Sequence, residues 1–349
     1  MRQLTYVGPR KLEWWDVPTP RVQSDADALV SPLSVARCDL DLYIAQGHPA
    51  FPGPFAIGHE MIGVVTEVGD KAGVRIGDTV VVPFQLSCGR CDECALGFTN
   101  TCREYPRRAA FGLAPSCGRE FGGALSESVR VPYADHMLIP FPAHLDKVHF
   151  ASIADNIPDG WRAVAPHLKA RPGARVLVIS AQAQSVGLYA AGLAVSLGAS
   201  EVLYLDDDDG RRQRAARMGA RTEPLNLPRE PLQFEITVHA MADESTLRFG
   251  LLSTVPNGVF TQIGMFFSDE VPMPLRSLYA RGIAFHTGRV HARAELPGVL
   301  AHCERGGFDA SAVTSRVVNF SDAAEGILDP SPKIVFVNDW AAGRFKSTS

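Results

Sequence analysis

The chain has 349 residues, and at roughly 150 residues per domain that length points to two domains. Hydrophobic residues make up 46% and charged residues 21%, the composition of a soluble globular protein with a buried core. The net charge of -4, from 34 basic and 38 acidic residues, excludes a general electrostatic drive toward nucleic acid or an anionic membrane surface, and neither is expected as a partner.

The N-terminus, MRQLTYVGPRKLEWWDV, lacks the apolar core of a signal peptide, and no stretch reaches the roughly 20 apolar residues of a membrane span. A cytoplasmic location is the expectation. Up to about residue 150 the chain reads as short strands: DALVSPLSVARC, MIGVVTEVG, DTVVVPF and LSESVRVP are rich in Val, Leu and Ile and bounded by Gly, Pro or Asp. ASIADNIPDGWRAVAPHL then reads as a helix that Pro158 interrupts. Beyond it come a strand (ARVLVIS), a small-residue helix (SVGLYAAGLAVSLGA), a strand (EVLYLD) and a basic helix (DGRRQRAARMGA). That alternation signals a parallel sheet with crossover helices, to which FEITVHA and GVFTQIG add strands. A helix at ELPGVLAHCERG and a last strand at KIVFV close the chain. The fold class is therefore α/β plus a β-rich part.

Seven cysteines, an odd number, argue against a disulfide framework in a cytoplasmic setting. Cys88, Cys91, Cys94 and Cys102 form C-x2-C-x2-C-x7-C, with Gly89 and Gly97 supplying turns. Four thiolates so spaced can wrap a tetrahedral zinc ion and leave no open position, which makes the role structural. Cys117 and Cys303 read as ordinary buried thiols. A second constellation is dispersed: Cys38 in ARCDLDLY, His59 and Glu60 in IGHEMIGVV, and Asp155 in ASIADNIP. A thiol, an imidazole and two carboxylates are the ligand types of a catalytic zinc site, although spacing alone leaves open whether they meet.

The order of these motifs, C-x-x-D at Cys38 to Asp41, G-H-E at Gly58 to Glu60, the four-cysteine lobe and the alternation behind them, resembles the zinc-dependent medium-chain alcohol dehydrogenase family over nearly the whole chain. The resemblance implies a GroES-like catalytic domain from residues 1–155 and 288–349, with a structural-zinc lobe at 86–104. It implies a Rossmann nucleotide-binding domain, a doubly wound parallel sheet, at 156–287, with the active site in the cleft between them. Carried over by position, Cys38 and His59 are zinc ligands, and Asp155 falls where the polyol-dehydrogenase-like branch places an acidic ligand. Glu60 is similar to the family's exchangeable or outer carboxylate, and Asp41 to the carboxylate that orients the ligating histidine. Two zinc ions per chain, a small-molecule substrate and a homodimer or homotetramer follow from the same resemblance. The activity it implies is hydride transfer between NAD(H) and an alcohol or carbonyl bound to zinc.

Two departures from that pattern stand out. Leu40 occupies a position where the family has the Ser or Thr that relays the alcohol proton; Tyr43, a phenol, falls where some members carry the relay's histidine, Asp39 is also near by sequence, and another residue or the substrate is left open as the proton source. In the nucleotide loop only Gly187 survives of the G-x-G-x-x-G fingerprint, and Gln182 and Gln184 take glycine places. Gln184, Ser185, Val186 and Gly187 open a helix whose N–H groups can still face an anion. Asp206, about 20 residues on, is expected to meet the adenosine ribose hydroxyls and to favour NAD(H) over NADP(H), with Arg211 beside the ribose. The departures also leave two other readings open: a reductase of an iminium or activated C=C bond, or a non-catalytic binding or scaffold protein that keeps the fold.

Overall fold

Short β-rich runs between Gly, Pro and Asp turns build the first part of the chain as strands. They are β1 (Arg2–Gly8), β2 (Lys11–Asp16), β3 (Ala28–Ala36), β4 (Phe55–Ala56), β5 (Glu60–Val68), β6 (Thr79–Val82), β7 (Val129–Val131) and β8 (Ile139–Pro140). Three short helices lie among them, α1 (Asp39–Gln46), α2 (Asp92–Ala95) and α3 (Ala134–Met137). Helix α4 (Asn156–Ala170) leads into the alternating part: β9 (Val176–Ser180), α5 (Gln184–Ser196), β10 (Val202–Asp206), α6 (Asp209–Arg217), β11 (Arg221–Pro224), β12 (Phe234–Ala240), α7 (Glu244–Ser253), β13 (Thr254–Gln262), α8 (Leu275–Arg281), β14 (Ala284–His286) and α9 (Ala292–Glu304). The chain ends through β15 (Arg316–Asn319), α10 (Ala323–Gly326) and β16 (Ile334–Val337). The structure is a computed structural model and describes residues 1–106, 108–113 and 119–340, so Cys117 lies outside the described residues.

The described residues divide into two compact units: those of Met1–Pro158, His291–Leu300 and 314–340 form the first, and Asp159–Val290 with Ala301–Val313 the second. In the first unit β2-β1-β4 make a small sheet, and β15-β16-β3-β5-β6-β8, with β7 against β3, make a larger one. Val30, Val35, Ile62, Val65 and Val81 are fully buried in that larger sheet. Its register positions the chemistry. Ala36 of β3 pairs with Glu60 of β5 on one side and with Val335 of β16 on the other. The carboxyl end of β3 thus runs out, just before Cys38, between the starting ends of two neighbours.

The second unit holds a six-stranded sheet, β11-β10-β9-β12-β13-β14, in which every pair is parallel, as the sequence pattern requires. Strand β9, VLVIS, is buried at all five positions, the continuous apolar run of a strand covered on both faces. From β9 the chain first builds outward through β10 and β11, then returns to β12 on the other side. That reversal is the switch point at whose carboxyl ends open α/β sheets bind ligands. Three residues separate β9 from helix α5, which needs Gly187 in its first turn: a Cβ there would run into Ser180 Oγ.

Two expectations change. Pro158 does not interrupt α4; it lies in the first turn, where no intrahelical N–H is required. The segment 288–349 does not belong to one unit. Residues 301–313 pack in the second, where Phe308 meets the ring of Tyr189 and Arg214 donates to the Ala312 carbonyl. Among the described residues no helix is long and apolar enough to cross a membrane.

Candidate functional site

At the end of β3 the chain turns into α1 with Cys38 as the N-terminal flanking residue. The turn is fixed by Asp41, whose Oδ2 accepts the Cys38 backbone N–H at 3.0 Å. The other oxygen of Asp41 lies 3.3 Å from His59 Nδ1, and both side chains are buried. Asp41 thereby points the far nitrogen of the ring away from itself, and His59 Nε2 comes to 3.4 Å from Asp155 Oδ2. Gly58 makes the approach possible: its φ of +92° is open to glycine and strained for other residues. Glu60 follows as the first residue of β5, and Asp155 ends the short helical turn Ala151–Ala154.

Cys38, His59, Glu60 and Asp155 are all buried, and one donor atom from each lies within 4.8 Å of the others. Burial pushes the Cys38 thiol up to about 12 and the Glu60 carboxyl up to about 7, the latter in spite of Lys333. Burial alone would pull His59 down, but the Asp41 charge and the bonds to Asp155 and Asp41 hold it well above its ordinary value. A thiol and two carboxylates crowded in a dry pocket repel one another once ionised, and a divalent cation among them relieves that repulsion. The donor set, one sulfur, one imidazole nitrogen and carboxylate oxygens, is one that zinc accepts.

Two further buried residues complete the pocket, and no motif announces them. Asn156 Nδ2 donates to Asp155 Oδ2 at 2.9 Å and to Cys38 Sγ at 3.4 Å. Lys333, fully buried, donates to Asn156 Oδ1 at 2.8 Å, to the Arg37 carbonyl at 2.8 Å and to Glu60 Oε1 at 3.2 Å. Its place follows from the sheet: extending the β16–β3 register by two residues sets Lys333 opposite Cys38. The signal that could have found it is a lysine immediately before an apolar final strand. Tyr43 and Leu40 lie on α1 outside this donor set, both half-buried.

The second metal set is local. Cys88, Cys91, Cys94 and Cys102 also bring their sulfurs within 4.8 Å of one another. Backbone N–H groups already face them: Arg90 and Cys91 donate to Cys88 Sγ at 3.4 Å, and Cys88 donates to Cys102 Sγ at 3.3 Å. Donors from Arg103 and Cys94 bring the Cys91 thiol down to about 6, which favours the thiolate that a metal needs.

Known proteins resemble this chain in sequence and in fold. The family model of the alcohol dehydrogenase GroES-like domain matches residues 24–143. Zinc-type alcohol dehydrogenase B of Aspergillus flavus is 26% identical over 342 residues, covering 93% of this chain and 78% of that protein. The medium chain reductase/dehydrogenase ucsI of an Acremonium species is 32% identical over 232 residues, covering 65% of this chain and 76% of that protein. Alcohol dehydrogenase TADH from Thermus sp. ATN1 has a similar structure, with a TM-score of 0.88 and 27% identity over 97% of this chain and 99% of that one. This chain belongs to the zinc-dependent medium-chain alcohol dehydrogenase family. It is a zinc-type alcohol dehydrogenase-like oxidoreductase, and neither the scaffold reading nor the iminium or C=C reductase is favoured.

In the second unit of this dehydrogenase the nucleotide loop runs from Ser180 to Gly187, with Gln184 and Ser185 in the first turn of α5 and Ser185 and Val186 buried. The Oε1 atoms of Gln182 and Gln184 are shielded from solvent and accept no hydrogen bond from the described residues. Gln182 also lines a cavity of about 640 Å³ with Asp243, Ser245, Phe266, Phe267 and Val271, beyond the carboxyl ends of β9, β12 and β13. Asp206 at the end of β10 makes four inward contacts. It is fully buried, and its oxygens accept from Arg211 Nη2 at 2.7 Å, Arg211 Nε at 2.9 Å, the Tyr204 hydroxyl at 2.7 Å and Asp208 N–H at 2.8 Å. A carboxylate with this many donors faces inward, and the outward carboxylate at this strand end is Asp207, whose side chain is 67% exposed. Arg211 also bonds Asp207 at 2.6 Å, and Arg212 bonds Asp209 at 3.1 Å.

Proposed function

We propose that this protein transfers hydride between NAD(H) and an alcohol or carbonyl substrate held at a zinc ion bound by Cys38, His59 and Asp155, with Glu60 beside it. The observation that carries the reading is the buried convergence of those four donor groups in a chain of this family. Cys88, Cys91, Cys94 and Cys102 hold a second zinc ion, which is structural because four thiolates close its coordination.

When bound, the first ion supplies Lewis-acid polarisation of a substrate oxygen, and the nicotinamide supplies or accepts the hydride. The protein supplies the rest. Asp41 fixes the His59 ring through Nδ1, which leaves Nε2 as the metal-binding nitrogen. Leu40 carries no hydroxyl, and of the other groups on α1 that can carry a proton, Asp39, Asp41 and Tyr43, the Tyr43 phenol is the one assigned the proton that balances the reaction, since Asp41 is engaged with Cys38 and His59. Placement in the polyol-dehydrogenase-like branch rests on Asp155 alone.

The preference for NAD(H) is supported by the acidic run Asp206–Asp209 at the end of β10. A ribose 2′-phosphate would meet negative charge there, and Arg211 and Arg212, the local cations, are already paired with Asp206, Asp207 and Asp209. The start of α5 is the anion site for the pyrophosphate. The test is a coupled nicotinamide assay against alcohols and aldehydes. Turnover with NAD(H) that exceeds turnover with NADP(H), and that Cys38→Ala abolishes, is expected. Equal turnover in Cys38→Ala would remove the metal from the mechanism.

A further inference from the structure

We propose that Asn156, clamped by Lys333, is a positioning residue that sets the geometry and strength of the metal site at Cys38. The inference rests on the reading that Cys38, His59 and Asp155 hold zinc. Asn156 directs its amide nitrogen at two of the three proposed ligands at once, Asp155 Oδ2 at 2.9 Å and Cys38 Sγ at 3.4 Å. These ligands come from distant parts of the chain, with Asn156 and Cys38 118 residues apart. A single side chain therefore ties the loop after β3 to the turn before α4.

An asparagine amide can face either way, and only one orientation donates to both ligands. Lys333 selects it. An ammonium donates and cannot accept, so the bond from Lys333 Nζ at 2.8 Å requires the oxygen of Asn156 on that side. The amide nitrogen must then face Cys38 and Asp155. The same ammonium bonds Glu60 Oε1 at 3.2 Å, offsetting the charge of the remaining carboxylate, and bonds the Arg37 carbonyl, the residue before Cys38. A lysine with 0% exposure would be costly unless its three N–H groups were all used, as they are here. Arg37 in turn binds the carbonyls of Ile327, Asp329 and Ser331, which anchors the segment that delivers Lys333.

N–H donors aimed at a ligating thiolate and carboxylate fix their direction and temper their charge, and loss of such outer contacts weakens metal binding by about 10–100-fold. The experiment uses the full-length protein with cobalt(II) exchanged for zinc, read by the sulfur-to-cobalt charge-transfer band and by competition with a chelator. The four-cysteine site serves as the internal control for folding. Asn156→Ala is expected to release metal from the Cys38 site at about 10–100-fold lower chelator concentration and to shift its band, with the four-cysteine metal retained. Asn156→Leu keeps the volume but offers neither the N–H donors for Cys38 and Asp155 nor the acceptor for Lys333, so its loss should equal or exceed that of Asn156→Ala. A space-filling role would rank them the other way, and that order would overturn the proposal. Unchanged affinity and band in both variants, with the parent holding two metals, would overturn it and leave the zinc reading intact. A parent that holds metal only in the four-cysteine lobe would overturn both.

Discussion

Asp206 is the candidate site residue with the densest local bonding. Arg211 Nε and Nη2, the Tyr204 hydroxyl and the Asp208 N–H all converge on its carboxylate in the interior. Cutting one partner of a buried ion pair strands the other charge and costs about 3–5 kcal/mol. Arg211→Ala, which leaves the fully buried Asp206 carboxylate without its cation, is therefore expected to lower the unfolding free energy by that amount in urea titrations. A change below about 1 kcal/mol, the range of exposed pairs, would show that the pair is not buried in solution. The sequence displayed the acidic run but not the return of Arg211 onto its first member, because that return depends on the turn from β10 into α6. Cys38 and Asp155 show the same limit: each has an unremarkable setting, and only the β3–β5 register and the turn before α4 bring them together. Lys333 was illegible for a further reason, since lysine is among the residue types least often buried.

At the scale of elements, β12, β13 and α7 are tied by one polar cluster under the 640 Å³ cavity. Gln262 Nε2 donates to the carbonyls of Met241 at 2.7 Å and Gly264 at 2.6 Å, which fixes its amide and leaves Oε1 to accept from His239 Nδ1 at 2.7 Å. The neutral ring then accepts at Nε2 from the Thr246 hydroxyl, 2.9 Å away on α7. Burial pushes His239 down to about 4 from an ordinary 6.5, against the bond to Gln262. The sign follows from linkage. Between those values the unfolded chain binds the extra proton, so the stabilisation is complete above pH 6.5 and is lost as pH falls toward 4, by roughly 3 kcal/mol at about 1.4 kcal/mol per unit. Urea unfolding of the parent and of His239→Asn across that range should show a shallower acid slope in the variant. Parallel slopes would contradict the assignment. The strands and helices themselves were readable because their apolar periods are local, and the parallel sheet followed from their alternation. Pro158 misled because a proline in a first turn and one in a helix interior look alike until the helix start is known.

For the whole molecule, the two metal sets differ in how they are built, and that difference gives the sharpest test. The four cysteines lie on one short stretch, so their spacing announced them, and their lobe can close on zinc without help from distant elements. The Cys38 set requires β3, β5 and the turn before α4 to be in place, with Asn156 and Lys333 holding the donors. In the function proposed above both sets hold zinc and the second is the catalytic one. Elemental analysis of zinc per chain in the native protein and in Cys38→Ala measures this directly. Two zinc ions falling to one, with the four-cysteine site still filled, is the expected result. One zinc ion in the native protein, unchanged by the substitution, would contradict it.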